Sequence, residues 1–453
     1  MDLRASLRSR AFPPRFVWGV ATAAPQIEGG ATAGGRGESI WDRFARRRGA
    51  VVNGDTPAVA CDHFHRYRAD FALMRELGVR HYRLSLAWPR LQPDGRGPVN
   101  ARGLDFYRRL LDALHHHGIT PWVTLYHWDL PQALEDAGGW RSRGTAEAFA
   151  RYAEIAVRGL GGRVRHWMTL NEIPTFIGHG YRLGVHAPGA REKPAVVAQC
   201  HHHALLAHGH AVRAVREFGG ARAEVGLAQD LSVPIPVTET PADIAAAERE
   251  LRRRNAHILA PLYFGRYATA EMRAARRPQP AVRRGDLALI STPTDFLGLN
   301  IYSGEFVRAA DRTTHEVVPF PPGYPTAGLA WLRLAPQAVY WALRHCHAVY
   351  RPRKLFLTEN GAGYEEPARG GAEVNDLHRR EYLRAHLEQV QRATAEGIPC
   401  RGYFAWSFLD NFEWAEGYTK RFGLVHVDFA TQRRTPKLSA LWYAGVMREN
   451  RVL

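Results

Sequence analysis

One kind of segment recurs along this chain: a short apolar run, rich in β-branched and aromatic residues, that ends in polar or aromatic residues and leads into a helical stretch. The apolar character is nearly continuous, as in parallel strands that are covered on both faces. We predict eight such strands: Phe16–Ala24, His81–Trp88, Thr120–Trp128, Val164–Glu172, Ala223–Asp230, Asp295–Ser303, Lys354–Gly361 and Cys400–Asp410. Strand followed by helix, eight times over, predicts an α/β fold, a single (β/α)8 TIM barrel with loop and helix insertions.

Helical patterns lie between these strands, and several end at a glycine (Gly78, Gly118, Gly219, Gly397). The predicted helices include Phe64–Leu77, Gly103–His117, Thr145–Leu160, Val196–Phe218 and Asn375–Gly397. The stretch from Leu231 to Thr294 exceeds an ordinary crossover and predicts a helical insertion, and the proline-rich Phe320–Pro325 predicts a loop over one mouth of the barrel. No linker or repeat divides the chain, so we predict one catalytic domain over residues 1–453.

The charge of the chain is strongly positive, since 61 basic residues outnumber 44 acidic ones, but the arginines that carry it are spread along the whole length. No long basic run, zinc-finger spacing or aromatic-basic RNA motif accompanies them, so we predict no nucleic-acid partner. No apolar run of ~18 residues occurs, and no signal peptide is recognisable, so we expect no membrane association and a cytoplasmic protein. The four cysteines are far apart and are predicted to be buried free thiols.

Two glutamates stand where the reactive side chains of such a barrel are found. Glu172 closes the fourth strand in TLNE, and Glu359 lies near the end of the seventh strand in LTENG. Because the carboxyl ends of all strands meet at one face, both are predicted to point into one cleft. Two carboxylates are the minimum needed to break a glycosidic bond. Position alone leaves metal binding, amine binding and ion pairing with an arginine open.

The residues at the other strand ends favour a carbohydrate as the ligand. Aromatic faces suit the apolar face of a sugar, and amide and carboxylate groups suit its hydroxyls. The candidates for substrate binding are Gln26, His127, Trp128, Asn171, Tyr302, Trp406, Glu413 and Trp414. Neither of the phosphate-binding glycine motifs is present, nor is HExxH or a paired Cys/His spacing. We therefore predict a small-molecule carbohydrate substrate, no cofactor and no metal.

Seven motifs occur in an order that resembles glycoside hydrolase family 1, the retaining β-glucosidase family, from Phe12 to Tyr443. They are FPPRFVWGVATAAPQIEG, TLYHWDLPQAL, TLNE, GVHAPG, LGLNIY, LTENG and WSFLDNFEWAEGYTKRFGLVHVD. The resemblance implies a β-glucosidase that releases terminal non-reducing glucosyl residues, with galactosyl and fucosyl residues as further candidates. It also implies that Glu172 is the acid/base and Glu359 the nucleophile.

The same resemblance assigns the remaining site residues. Gln26, His127, Asn171, Glu413 and Trp414 would hydrogen-bond the non-reducing sugar, and Trp406 would form the aromatic floor beneath it. Arg83, Asn300 and Tyr302 would support the nucleophile. We expect the cation and the phenol to lower the pKa of Glu359 while Glu172 stays protonated. The carboxyl groups should lie ~5–5.5 Å apart, as in retaining enzymes.

Three positions depart from the pattern of that family, all towards the leaving-group side. Ile173 and Pro25 replace a usual proline and tyrosine, and Trp331 is shifted by about one position. They leave the aglycone open, and the sequence does not give the oligomeric state. The alternatives are a 6-phospho-β-glycosidase, whose phosphate Glu413 would repel, and a non-catalytic barrel, which would lack one of the two carboxylates.

Overall fold

Eight parallel strands close into a barrel in the computed structural model, which describes residues 11–311, 314–366, 371 and 373–453. The strands are β1 Val17–Ala21, β2 His81–Ser85, β3 Thr120–Tyr126, β4 His166–Asn171, β5 Glu224–Asp230, β6 Phe296–Asn300, β7 Leu355–Asn360 and β8 Cys400–Trp406. Each strand pairs with the next along the chain, and β8 pairs with β1. The predicted (β/α)8 barrel is confirmed.

The observed strands lie within the predicted segments, but most of the predicted carboxyl ends were placed too late. β1 ends at Ala21 rather than Ala24, and β8 ends at Trp406 rather than Asp410. In several runs the polar and aromatic residues at the end have already left the sheet. Trp128 and Glu172, for example, have φ of 80° and 52°, which no strand residue adopts. The chain turns outward at these residues, and that turn places their side chains above the barrel.

Long helices cover the barrel, and the five predicted helices are confirmed to within two residues. The long helices are His63–Glu76, Ala101–His116, Arg143–Leu160, Pro194–Phe218, Pro241–Phe264, Gln337–Tyr350, Leu377–Ala395 and Leu438–Glu449. Short helices occupy Ala24–Ile27, Ile40–Ala45, Trp88–Leu91, Gln132–Asp136, Ile173–Ile177, Thr269–Ala274 and Asp286–Ile290. No helix in the described ranges has the length and apolar character needed to cross a bilayer.

The insertion predicted between Leu231 and Thr294 is helical, as expected, but it also contributes a strand. Pro234–Pro236 pairs with Glu305–Ala309, which in turn pairs with His315–Val318, in a small sheet outside the barrel. A second small sheet joins Val425–Asp428 to Arg433–Pro436. The segment Phe320–Pro325 is a loop, and Leu329 and Trp331, which follow it, line the cleft described below.

Aromatic side chains fill the barrel near the amino-terminal ends of its strands. Trp122 stacks on His166 with ring centroids 3.9 Å apart, and the rings of Phe296, Phe356 and Phe404 meet it edge-on. The interior is thus packed, as in other barrels of this type. All four cysteines are buried and free, as predicted.

Candidate active site

A cavity of about 590 Å³ opens at the carboxyl ends of the strands, and most of the predicted site residues line it. Its volume falls in the range of small-molecule sites. The predicted residues on its wall are His127, Trp128, Asn171, Glu172, Asn300, Tyr302, Glu359, Trp406, Glu413 and Trp414. The side chains of Gln26 and Arg83 are buried, with exposures of 0% and 1%.

Glu172 is the first residue after β4, and its backbone places the carboxyl group in the cavity. It adopts a left-handed conformation, and its N–H donates to the carbonyl oxygen of Ala228 at 2.8 Å. The side chain is 7% exposed, and its Oε1 accepts a hydrogen bond from Asn300 Nδ2 at 2.8 Å. A neutral amide is thus the one side-chain donor seen on this carboxyl group in the described structure.

Glu359 lies on β7 and receives stronger donors. Its Oε1 accepts from Arg83 Nη1 at 2.5 Å, and its Oε2 accepts from the Tyr302 hydroxyl at 2.8 Å. Arg83, which is only 1% exposed, also donates through Nη2 to Asn171 Oδ1 at 2.6 Å. This guanidinium, projecting from β2, joins β4 to β7.

Asn300 completes a hydrogen-bonded link between the two carboxyl groups. Its Nδ2 donates to Asn171 Oδ1 at 2.9 Å as well as to Glu172, and its Oδ1 accepts from the Thr358 hydroxyl. Sequence reasoning placed Asn300 beside the nucleophile only. The structure gives it a hydrogen bond to Glu172, and its amide also opposes the burial that raises the pKa of Glu359.

The two carboxyl groups differ in how easily they hold a proton. Burial, followed by the charges of Glu359 and Asp230, holds the pKa of Glu172 well above its usual range. Burial also raises the pKa of Glu359, although Arg83 and Tyr302 oppose that rise. The two donors lower the pKa of Glu359 as predicted, but the loss of water around the carboxylate outweighs them, so its pKa is raised overall. Only Glu359 has a cationic donor and a phenol to oppose the effect of burial, which favours the predicted order, with the proton on Glu172.

Several polar atoms below and beside the carboxyl groups are buried with no partner in the described part of the chain. Gln26 donates through Nε2 to Asn411 and to the backbone of Phe412, which leaves its Oε1 unpaired. Asn171 Nδ2 donates to His127 Nε2 at 3.1 Å, so Nδ1 of His127 carries the proton and is unpaired. Glu413 Oε2 is unpaired as well. Buried polar atoms of this kind call for a partner, and hydroxyl groups of a ligand can supply it.

Burial and the nearby charges of Glu359 and Glu416 raise the pKa of Glu413 to about 8. Its carboxyl group is therefore mostly protonated at neutral pH in the free protein, and it can both donate to and accept from a hydroxyl.

Aromatic rings form one side of the cavity. Trp128 and Trp414 stack with centroids 4.5 Å apart, and His127 lies nearly parallel to Trp406 at 5.7 Å. The indole N–H of Trp128 donates to the backbone oxygen of Asn171 at 2.9 Å, so this residue, which was predicted to bind substrate, has its donor already occupied. Its contribution to the wall is its apolar face.

Sequence reasoning missed Asp230, which closes β5 and lines the cavity next to Glu172. Its Oδ2 accepts from the Thr175 hydroxyl at 2.9 Å, and burial raises its pKa to about 6. The signal was available, because the predicted fifth strand ended at this residue. The criterion that selected Glu172 and Glu359 would have selected Asp230 too.

The three departures from the family pattern lie in different surroundings. Ile173 is fully buried, and Pro25 is buried beside a small void away from the cleft. Trp331 is 58% exposed at the cavity rim, with its ring centroid 6.0 Å from that of Tyr302. Of the three, only Trp331 can contact a bound leaving group. Across the described residues, no three His, Cys, Asp or Glu side chains are grouped so that they could hold a metal ion.

Comparison with known proteins agrees with this geometry. The family model for glycosyl hydrolase family 1 matches residues 8–452. Beta-glucosidase A of Thermotoga maritima is 42% identical over 97% of this chain and 98% of its own length, and a beta-glucosidase of an Agrobacterium species is 43% identical over 96% and 95%. The solved structure of the Thermotoga maritima beta-glucosidase in complex with glucoimidazole superimposes with a TM-score of 0.89 at 42% identity, over 97% of this chain and 99% of that one.

Proposed function

The chain belongs to glycosyl hydrolase family 1, and on that premise we propose that it is a retaining, exo-acting β-glucosidase in which Glu359 is the nucleophile and Glu172 the acid/base. The observation that carries the assignment is the unequal support of the two carboxyl groups. Glu359 receives a guanidinium and a phenol, whereas Glu172 receives an amide. A nucleophile must be ionised and a general acid must be protonated, and this arrangement provides both at one pH.

In the first step, Glu359 attacks the anomeric carbon of the terminal sugar and forms a covalent ester. The bond from that carbon to the leaving-group oxygen breaks, and Glu172 gives its proton to that oxygen. Two groups of one chain thus supply the nucleophile and the proton, and charge does not build up on the departing alcohol.

In the second step, water replaces the sugar on Glu359. Esterification removes the negative charge of Glu359, which is among the largest causes of the raised pKa of Glu172. The pKa of Glu172 therefore falls, so its carboxylate can take a proton from the water that attacks the anomeric carbon. Two inversions give net retention of configuration.

The proposed substrate is a terminal β-glucosyl residue, with the glucose of cellobiose and longer cello-oligosaccharides as the natural source. Its hydroxyls would pair with Gln26 Oε1, His127 Nδ1 and Glu413 Oε2, the atoms that the protein leaves unpaired. The negative charge of Glu359, the proposed nucleophile, lies close to these atoms and disfavours a phosphorylated sugar. Lys420 does not offset this, because it is paired with Glu365 at 2.5 Å. Hydrolysis of p-nitrophenyl β-glucoside but not of its 6-phosphate would support the plain sugar.

The experiment that tests the two roles is chemical rescue by azide. In Glu359→Gly, azide replaces the missing nucleophile and should give α-glucosyl azide, with inversion. In Glu172→Gly, the ester still forms from a substrate with a good leaving group, and azide should then give β-glucosyl azide, with retention. Exchange of these stereochemical outcomes would exchange the roles, and full activity of either variant without azide would remove that residue from catalysis.

A matched control removes an acid from the opposite end of a barrel strand. Glu224 begins β5, on the amino-terminal side, and pairs with Lys354 at 3.0 Å. Glu224→Gln should keep the unmodified rate, because its carboxylate lies outside the cleft.

We also propose that the protein works in the cytoplasm, which the four free, buried cysteines favour. Cell fractionation with a β-glucosidase assay tests this, and activity confined to the medium would contradict it.

A further inference from the structure

A second cavity, of about 510 Å³, adjoins the catalytic one on the side of the helical insertion. The two cavities share the wall residues Thr175, His179, Asp230, Ser232 and Arg254. The shared wall includes Asp230, whose charge acts on Glu172. The second cavity therefore lies next to the acid/base, the group that protonates the leaving group in the proposed reaction.

Arginines dominate the wall of this second cavity. Arg182, Arg253, Arg254, Arg276 and Arg277 line it, and Asp230 is the one acidic residue on the same wall. Arg253 and Arg254 both pair with the buried Glu250, each at 2.5 Å, and Arg254 also pairs with Glu305. Arg182, Arg276 and Arg277 form no ion pair with any residue in the described ranges. The cavity thus holds an excess of positive charge that this part of the protein does not balance.

Arg277 is held with its charge facing other cations. Its Nη1 donates to His257 Nε2 at 3.1 Å, and the charges of Arg182 and Arg253, together with burial, lower its pKa. A lowered pKa means that the guanidinium would gain from an anion at this place. Positive groups gathered around one cavity make its electrostatic potential positive, so the cavity suits an anion.

His201 adds a second requirement for the ligand, a hydrogen-bond donor. His201 lines the cavity, is 7% exposed, and has no partner for its Nε2 in the part of the chain that the structure describes. Its ring also forms a hydrogen bond with the backbone of Val197, which must use Nδ1. Burial lowers the pKa of His201 to about 3, so the ring is neutral and Nε2 is an acceptor. This atom needs a hydrogen-bond donor such as a hydroxyl, which chloride and sulfate do not provide.

From these observations, and on the basis of the function proposed above, we propose that the second cavity binds the leaving group of a class of substrates in which that group is a sugar acid. The carboxylate would lie among Arg182, Arg276 and Arg277, and a hydroxyl would donate to His201 Nε2. The enzyme would therefore favour β-glucosides whose aglycone is an aldonate over those with a neutral aglycone.

The test compares two pairs of substrates that differ in charge alone. Cellobionate and cellotrionate end in a carboxylate at the former reducing end, and cellobiitol and cellotriitol carry an alcohol there instead. We expect at least one acid to be cleaved about tenfold more efficiently, in kcat/KM for glucose release, than its alditol at low salt. The advantage should shrink in about 0.5 M sodium chloride, which screens exposed charges.

The double variant Arg182→Gln/Arg277→Gln should remove this advantage while leaving hydrolysis of the alditols unchanged, which also shows that the variant is folded. The loss should appear in KM with little change in kcat, because these arginines hold the substrate equally before and during bond breakage. Arg273→Gln is the matched control: Arg273 lies on the neighbouring helix Thr269–Ala274 but outside the cavity. It should keep the preference.

Two results would overturn the proposal: equal kcat/KM for both acids and their alditols in the unmodified enzyme, or a preference that the double variant retains. Failure of the proposed function looks different, since the unmodified enzyme would then release glucose from neither kind of substrate nor from p-nitrophenyl β-glucoside.

Discussion

The hydrogen bond from Tyr302 to Glu359 should set the acid limb of the pH–rate profile. The phenol donates to Oε2 at 2.8 Å and stabilises the ionised carboxylate. A hydrogen bond to a charged group contributes about 1.5–3 kcal/mol. Since Tyr302 is only half-buried at the cavity wall, we take the lower end, about 1.5 kcal/mol. One pKa unit corresponds to about 1.4 kcal/mol, so Tyr302→Phe should raise the pKa of Glu359 by about one unit.

The sign follows from the proposed role of Glu359, since a nucleophilic carboxylate must be ionised to attack. Raising its pKa moves the acid limb of kcat/KM against pH by about one unit towards higher pH. The basic limb reports loss of the proton from Glu172. It should stay in place, because Glu359 is ionised there with or without Tyr302, and its charge on Glu172 is unchanged. The plateau should also fall, by about 10–100-fold, since the carboxylate loses one of the two groups that orient it.

The assay is initial hydrolysis of p-nitrophenyl β-glucoside between about pH 4 and pH 9, over the range in which the protein stays folded. Tyr443→Phe is the control: its hydroxyl is buried and donates to the backbone of Gly19 at 2.9 Å, outside the cleft. That variant should keep both limbs. An acid limb that stays in place in Tyr302→Phe, or moves to lower pH, would refute the reasoning.

Three further predictions concern stability. Glu413→Gln should abolish most activity yet stabilise the fold above about pH 5. The pKa of Glu413 in the folded protein is about 8, above the ordinary 4.5, so the wild type loses stability as the pH rises between these values. Thermal unfolding at pH 5 and pH 8 should therefore show a larger gain in stability of the variant over the wild type at pH 8. Asp410→Asn should lower the free energy of unfolding by about 3–5 kcal/mol, because it removes the carboxylate that the buried Arg421 and Lys437 share. Denaturant unfolding measures this free energy, and a loss below about 1 kcal/mol would contradict the prediction. Trp122→Ala should also lower the free energy of unfolding by about 3–5 kcal/mol, because it opens a cavity at the base of the barrel. Where the variant stays folded, its kcat should be unchanged.

The barrel could be predicted from the sequence because its signal is repeated eight times. Each apolar run is weak evidence for one strand, but a regular alternation with helical patterns is consistent with few folds. The small sheet built from Pro234–Pro236, Glu305–Ala309 and His315–Val318 could not be predicted in this way. Its strands are short, one contains two prolines, and their pairing joins segments from two different crossovers.

The site residues could be predicted because a strand end is a position that the sequence reveals. Their interactions could not. The link from Glu359 through Arg83 and Asn171 to Asn300 and Glu172 joins β2, β4, β6 and β7, and no spacing along the chain encodes it. The net direction of the Glu359 pKa shift could not be predicted for the same reason: the sequence names the donors that lower the pKa, whereas the extent of burial, which raises it, depends on everything packed around the carboxyl group.

The second cavity could not be predicted from the sequence either. Composition made the arginines look evenly spread, and their sequence positions gave no reason to group Arg182 with Arg277. The fold places the chain after Glu172 against the helical insertion, and only then do unpaired cations face one cavity.

The unpaired atoms of the catalytic cavity link the stability of the free protein to ligand binding. Gln26 Oε1, His127 Nδ1 and Glu413 Oε2 are buried without a protein partner in the described ranges, and a buried group left without any partner costs about 1–3 kcal/mol. A sugar that pairs with them recovers part of that cost on binding, so a tight inhibitor should raise the thermal unfolding midpoint by mass action. The same atoms would discriminate between ligands, because a bound ligand without hydroxyls would leave them without partners. The cost in stability and the discrimination between ligands thus arise from the same atoms, and Glu413→Gln should reduce both together.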